Sequence, residues 1–177
     1  MKTSIFVLIG IFLLSGTAAS AQDKFFTKNG RVSFVSKGNI ETIQANHKSV
    51  TCVLDSKTGN VQLSVLMRGF EFRKALMQEH FNENYVESDK YPRARFSGKI
   101  IEPVDLTVDG TYDVRAKGEL EIHGKKQTRI IKSKLTISKG IVGLDTHFFV
   151  PLSDHNISIP TIVSQKIATE IEVAFKA

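Results

Sequence analysis

The sequence predicts a mainly-β protein whose antiparallel strands close into a barrel or pack as a sandwich. The clearest strand is Thr111–Ile122, in which apolar and polar side chains alternate. Such alternation is typical of an antiparallel strand with one buried face and one face in water. Asp109-Gly110 ahead of this strand is a hairpin signal. The strand is long, and long strands favour a barrel, because steep tilt requires length.

The other predicted strands are joined by short turns and form an antiparallel meander of about eight strands. These segments are 31–37, 40–45, 50–54, 60–67, 95–101, 126–138, 142–152 and 168–175. A meander of this kind leaves two exposed edges unless it closes on itself or forms two packed sheets. No repeat or linker interrupts the series, so a single domain over residues 22–177 is expected.

One segment departs from the strand pattern. Met77, Phe81 and Tyr85 recur at helical spacing, with polar residues on the opposite face, and this predicts an amphipathic helix. Pro92 ends the pattern. A single helix among strands must cover something apolar, and the pattern leaves open whether that is a filled core or a ligand cavity.

Residues 1–21 are predicted to be a cleaved signal peptide. Lys2 supplies the positive start, an apolar run extends from Ile5 to Leu14, and Ala19-Ser20-Ala21 fits a cleavage site. The apolar run is too short to span a bilayer as a helix. The mature protein is therefore expected to be periplasmic or secreted.

The composition and the absence of known motifs limit the classes of function that we expect. Cys52 is the only cysteine, so an intramolecular disulfide is excluded, and its place in an alternating run predicts a buried side chain. The formal net charge of +6 is mild and argues against a dedicated nucleic-acid-binding protein. No catalytic motif is recognisable, so no enzyme is expected. A metal site is not expected either, since the histidines lack ligand spacing: His47, His80, His123, His147 and His155.

Two motifs carry a family resemblance. The first joins the helix to a strand and reads Met77-x-x-His80-Phe81, then Tyr91-Pro92 and Phe96. The second is a hairpin that reads Gly118-x-Leu120-x-Ile122-His123-Gly124, with Gln127-Thr128 beyond it. In this order and spacing they resemble the signatures of YceI-like proteins, over a region from Phe34 to Phe175.

The resemblance implies an extended eight-stranded antiparallel lipocalin-like β-barrel with one or two short helices. It also implies an apolar tunnel that holds a polyisoprenoid chain, such as an isoprenoid quinone or a related amphiphile. The expected partners are this apolar lipid and, transiently, an anionic membrane surface, with no nucleic acid. No other cofactor is expected, and the protein is expected to be a monomer or a homodimer.

The side chains expected to line the tunnel come from the inward strand faces and the helix. They are Val61, Leu63, Val65, Met67, Phe70, Phe72, Met77, His80, Phe81, Phe96, Leu120, Ile122, Phe148 and Phe149. An ordinary core has the same composition, so the pattern alone leaves both interpretations open. His80 is expected either to hydrogen-bond a ligand head group or to satisfy a nearby backbone carbonyl.

A second hypothesis is a stress-related envelope protein whose barrel is filled by side chains and which acts through its surface. The surface in question is a basic hairpin, formed by Lys125, Lys126, Arg129, Lys132 and Lys134. This hairpin is either a solvated outer face or a site that docks on anionic lipid head groups.

Overall fold

The computed structural model describes residues 24–177, so the predicted signal peptide lies outside the described residues. The strands are β1 (Lys24–Lys37), β2 (Thr42–Asp55), β3 (Asn60–Leu66), β4 (Glu71–Phe72), β5 (Arg93–Ile100), β6 (Gly110–Ile122), β7 (Lys125–Ser138), β8 (Ile141–Pro151) and β9 (Glu170–Lys176). Helix α1 (Ala75–His80) continues into a π-helical turn, Phe81–Tyr85. Short 3-10 turns cover Met67–Gly69, Leu152–His155 and Thr161–Val163. Within residues 24–177, no helix is long and apolar enough to cross a membrane.

The strands form a closed antiparallel barrel, as predicted. Their order is β1-β9-β8-β7-β6-β5-β3-β2, and pairing of β1 with β2 closes the ring. The two-residue strand β4 pairs only with β2 and stays outside this ring of eight. Because β1 also pairs with β2, none of the eight main strands is a terminal edge strand of the sheet. The choice between barrel and sandwich, open from the sequence, is settled in favour of the barrel.

Strand β2 is one continuous element, whereas the sequence predicted two short strands over residues 40–54. The polar run around His47 breaks the alternation, but His47 is buried and its polar atoms are satisfied. Its Nε2 lies 3.1 Å from the Leu66 carbonyl oxygen, and its Nδ1 accepts a hydrogen bond from the Ser49 N–H (3.0 Å). These contacts offset the free-energy cost of burying the polar ring, so β2 continues without interruption past His47.

The two ends of the barrel differ. The helix end carries α1, the turn at residues 38–41, the His123-Gly124 turn and the segment 152–169. The far end carries the turn at residues 56–59 and the segment 101–109. At the far end, partly buried side chains pack against the core and close the barrel: Phe25, Val104, Leu106, Tyr112 and Val142.

Cys52 is buried on the inward side of β2, as the sequence predicted. Burial raises the pKa of its thiol to about 11, because the thiolate would lose its hydration. The side chain therefore behaves as a small apolar group that packs in the barrel wall.

Candidate ligand cavity

The barrel encloses a cavity of about 510 Å³. Its walls are almost entirely apolar and come from the inward faces of the strands and from the lid formed by α1 and its π-helical turn. The structure brings all the predicted tunnel residues except Phe149 to this cavity, from Val61 on β3 to Phe148 on β8. Whether they contact a ligand remains a prediction. A barrel filled by side chains, the second hypothesis, does not fit an interior of this size.

The placement of Phe149 was wrong. Its side chain is half exposed on the outer face of β8, where it packs edge-on against His147 with ring centroids 5.5 Å apart. Consecutive residues of a strand point to opposite faces, so Phe148 and Phe149 cannot both line the interior. Phe148 takes the inward position.

A phenylalanine cluster, formed by Phe34, Phe70, Phe72 and Phe81, attaches the lid to the barrel. Phe81 starts the π-helical turn, and its ring centroid lies 5.0 Å from that of Phe72, 5.5 Å from Phe34 and 5.6 Å from Phe70. The wide turn is closed by a hydrogen bond from the Val86 N–H to the Phe81 carbonyl oxygen (3.0 Å). Aromatic packing, rather than helix length, holds this short lid in place.

The prediction missed several lining residues from strands that it had identified. Phe34 is one of them, and the others include Val32, Leu54, Ile131, Leu144, Val150, Ile171, Val173 and Phe175. The same alternation that identified β3 and β6 would have placed them inward, since they occupy every second position of their strands. The signal was therefore present in the sequence but was applied to too few strands.

Besides Ser36, a pair of hydroxyl groups interrupts the apolar wall. Ser133 on β7 and Thr146 on β8 both line the cavity, and their hydroxyl groups are hydrogen-bonded to each other. The Thr146 hydroxyl also donates to the carbonyl oxygen of Lys132 (2.8 Å). This donation leaves the Ser133 Oγ with acceptor capacity. The pair therefore offers a neutral group inside the wall, but no charge.

The β7–β8 ladder stops at this point. Its last pair toward the helix end is Ser133 with Thr146, although β7 begins at Lys125 and β8 continues to Pro151. The two strands diverge and leave a fork in the wall. The segment after β8 occupies the fork, where Asp154 accepts hydrogen bonds from Gln127 Nε2 at its carbonyl oxygen (2.7 Å) and from Arg129 at its carboxylate.

His155 ends the 3-10 turn Leu152–His155 that occupies the fork. It is fully buried, and its Nδ1 donates to the Lys125 carbonyl oxygen (3.1 Å). Burial lowers the pKa of His155 below its ordinary value, because the charged ring would lose its hydration. The carbonyls of Lys125 and Ile122 and the Asp154 carboxylate act in the opposite direction without offsetting burial, and Arg129 adds to the lowering.

This burial predicts a loss of stability at mildly acidic pH. The unfolded chain binds a proton at His155 more readily than the folded chain, so the contribution to stability is present above pH 6.5 and is lost as the pH falls from there through the folded-state pKa. Urea unfolding of wild type and His155→Gln at about pH 7.5 and about pH 5.5 should show a smaller drop for the variant. His80→Gln, which replaces an exposed histidine, is the matched control. Equal drops in wild type and His155→Gln would contradict the prediction.

The two signature motifs touch each other at the helix end. The His123 ring lies 2.6 Å from the Glu87 carboxylate through Nε2 and 3.0 Å from the His155 carbonyl oxygen through Nδ1. Tyr91 packs edge-on against this ring at 4.7 Å between centroids. Gly124 has a φ of +68°, and a Cβ there would lie 2.5 Å from the Tyr91 ring. The motifs thus fix the segment after the lid to the β6–β7 turn.

The cavity opens at the helix end. Lys74, Leu76, His80 and Lys166 line it and are exposed to solvent, so they form its mouth. Lys74 is paired with Glu41 across the opening at 3.1 Å. The imidazole ring of His80 has no hydrogen-bond partner in the described part of the chain, so it does not bind a backbone carbonyl. Its contact with a head group remains a prediction.

The basic hairpin is less uniform than its sequence indicates. Lys126 is paired with Glu119 and Lys134 with Asp113, each at 3.3 Å, on the outer wall. Arg129 points to the opposite face and is paired with Asp154. Among residues 24–177, no three side chains of metal-ligating type converge on one point.

The fold and its interior define a hollow, lipocalin-like β-barrel with an apolar cavity and a helical lid. The family model of the YceI-like domain matches residues 21–177, and the chain belongs to this family. The resemblance inferred from the two motifs is thereby confirmed. No curated protein matches the chain as a relative.

Solved structures share this fold at low sequence identity. A polyisoprenoid binding domain from Saccharophagus degradans, implicated in plant cell wall breakdown, is 15% identical with a TM-score of 0.74, over 87% of this chain and 95% of the other. BcnA of Burkholderia cenocepacia is 20% identical with a TM-score of 0.69, over 83% of this chain and 94% of the other. The YCEI protein of Campylobacter jejuni is 13% identical with a TM-score of 0.58, over 100% of this chain and 96% of the other. At these identities the likeness establishes the fold.

Proposed function

We propose that this protein binds an isoprenoid-type lipid or a similar amphiphile in its barrel cavity and carries, stores or sequesters it outside the cytoplasm. The observation that supports the proposal most directly is an apolar space of about 510 Å³ inside the barrel, with Lys74, His80 and Lys166 at its mouth. The Saccharophagus degradans neighbour, described as a polyisoprenoid binding domain, has the same fold and supports the same ligand class.

The cavity suits a long hydrocarbon tail. Such a tail forms no hydrogen bonds and gains about 0.8 kcal/mol for each methylene removed from water. An apolar wall of the right width is therefore sufficient for tight binding. The lid contributes Met77 and Phe81 to this wall, and the flexible Met77 side chain can adapt to tails of different shape.

Charge orients the ligand in this proposal. Lys74, His80 and Lys166 stand at the mouth, whereas the hydroxyl pair of Ser133 and Thr146 in the barrel wall is neutral. A charged head group would lose its hydration at the bottom of the cavity without an opposite charge in exchange. The tail therefore occupies the barrel and a polar head group remains at the mouth, within reach of His80. Residues 1–21 act as the export signal, and transient contact with an anionic membrane surface would allow loading.

The test is to identify what the protein carries. The full-length chain is expressed in its native host and purified without detergent, then analysed by native mass spectrometry and by organic extraction. We expect a stoichiometric isoprenoid lipid and a mature N-terminus at Gln22. A protein that emerges empty and takes up neither a polyprenol nor an isoprenoid quinone would overturn the proposal.

A further inference from the structure

The cavity lining contains one charge without a counter-ion in the part of the chain that the structure describes. The charged side chains that line the cavity are Glu41, Lys74, Arg95 and Lys166. Glu41 is paired with Lys74 at 3.1 Å, and Arg95 lies 3.9 Å from Glu121. Within residues 24–177, Lys166 forms no ion pair. Its ammonium group therefore stands at the mouth with all of its hydrogen-bond donors available.

A buried hydroxyl group lies close to Lys166. Ser36 lines the cavity and is only 2% exposed, and its Oγ accepts a hydrogen bond from the Ala168 N–H (2.9 Å). The hydroxyl hydrogen of Ser36 forms no hydrogen bond in the described part of the chain. A buried donor without an acceptor is costly, so this hydroxyl group would gain from an oxygen atom of a ligand.

The backbone that carries Lys166 is fixed against the turn between β1 and β2. The carbonyl oxygen of Gln165 accepts a hydrogen bond from the Ile40 N–H (3.1 Å), and its Oε1 accepts one from Asn39 Nδ2 (2.8 Å). A Cβ at Gly38 would lie 2.3 Å from the carbonyl group of Lys166, so glycine permits this close approach. Because the backbone is held in place, only the side chain of Lys166 has to be ordered when a ligand binds.

We infer that Lys166 and Ser36 bind an anionic head group of the ligand, a phosphate or a carboxylate, and so favour such an isoprenoid over one with an alcohol or quinone head. This inference rests on the proposed function. The oxygen atoms of an anionic head group supply the acceptors that both donors lack, and its charge neutralises the ammonium group. An alcohol or quinone oxygen can accept a hydrogen bond here but leaves the charge of Lys166 without a counter-ion.

This selection depends on direct contact and not on the overall charge of the helix end. Glu79, Glu83 and Glu170 also form no ion pair in the described part of the chain, so they offset the positive charge of Arg73 and Lys166 at longer range. None of these three carboxylates lines the cavity, whereas Lys166 does. A free anion is therefore not attracted strongly to this end, and the apolar tail in the barrel is needed to hold the head group beside Lys166.

The test compares two ligands that share a tail and differ in head group. Farnesyl phosphate and farnesol are each titrated into the mature protein, freed of copurified lipid, and displacement of a neutral phenylnaphthylamine fluorophore reports binding. We expect the phosphate to bind about tenfold more tightly than the alcohol, the order expected for one charge-assisted hydrogen bond at an exposed site, and high salt to reduce this preference. Lys166→Met should remove most of the preference, because methionine is similar in length and carries no charge.

The matched control is Lys132→Met. Lys132 is an exposed lysine of the basic hairpin, forms no ion pair in the described part of the chain and does not line the cavity. This variant should prefer farnesyl phosphate as strongly as the wild type does. Millimolar inorganic phosphate, added as a competitor, should not displace farnesyl phosphate.

The outcomes separate this inference from the proposed function. If the wild type binds farnesol as tightly as farnesyl phosphate, or if Lys166→Met keeps the full preference, the head-group inference is overturned while the proposed function stands. An equal loss of preference in Lys132→Met would also overturn it, and so would displacement by inorganic phosphate, because the site would then take a free anion. A wild-type protein that binds neither farnesyl phosphate nor farnesol would instead refute the proposed function.

Discussion

Replacing Leu63 by lysine is expected to abolish the retention of an isoprenoid lipid. Leu63 is half-buried on the inward face of β3, between the buried side chains of Cys52 on β2 and Phe96 on β5, and it lines the cavity. An ammonium group at this position keeps its hydration only if water enters, and a hydrated cavity no longer favours a hydrocarbon tail. Native mass spectrometry of the variant should find protein without lipid.

The matched control is Gln62→Lys, one residue earlier on the same strand. Gln62 faces solvent, so this variant adds the same charge without changing the cavity and should retain its lipid. Circular dichroism of both variants serves to check that they fold. A folded Leu63→Lys protein that copurifies with as much lipid as Gln62→Lys would contradict the proposed lining.

Replacing Phe70 by alanine should reduce the free energy of unfolding by about 3–5 kcal/mol. Phe70 is buried, and its ring lies 5.2 Å from Phe34, 5.6 Å from Phe81 and 5.5 Å from His47 between centroids. Truncation opens a void in the phenylalanine cluster and removes one of the three aromatic contacts of Phe81 in the lid. Urea unfolding monitored by circular dichroism measures the change.

The matched control is Phe149→Ala, the same substitution at a half-exposed site on the outer wall. It removes one edge-on contact with His147 and leaves no internal void, so the loss should be about 1 kcal/mol or less. If the two variants lose equal stability, the phenylalanine cluster does not support the fold as proposed.

The barrel could be predicted because the sequence patterns that indicate its strands and turns are local. The alternation in Thr111–Ile122 and the hairpin signal at Asp109-Gly110 indicate long antiparallel strands joined in sequence order. The length of the strands then favoured a closed barrel over a sandwich as the way to remove free edges. The lid was predictable for the same reason, since Met77, Phe81 and Tyr85 lie on one helical face. The family motifs then indicated a hollow barrel, which periodicity alone could not distinguish from a filled one.

Two features that escaped prediction depend on contacts between residues distant in sequence. The fork between β7 and β8 is filled by Asp154, which binds Arg129, and by His155, which binds the Lys125 carbonyl oxygen. These partners are 25 and 30 residues apart in sequence, and no local sequence pattern predicts such contacts. His47 is buried within β2 because its ring contacts the Leu66 carbonyl oxygen, 19 residues away, as well as the nearby Ser49 N–H. The misplacement of Phe149 has a different cause: two adjacent phenylalanines were both assigned inward, against the two-residue period of a strand.

The closed far end limits how such a barrel can move its contents. Phe25, Leu106, Tyr112 and Val142 pack over that end, so the cavity has its opening at the opposite pole. A cavity that opens at one end in the described part of the chain, residues 24–177, does not act as a channel through which molecules pass from one side to the other. Whatever enters must leave by the same route in reverse, so the part that enters last departs first. Net transport would then require the whole protein to travel between donor and acceptor, as a shuttle does.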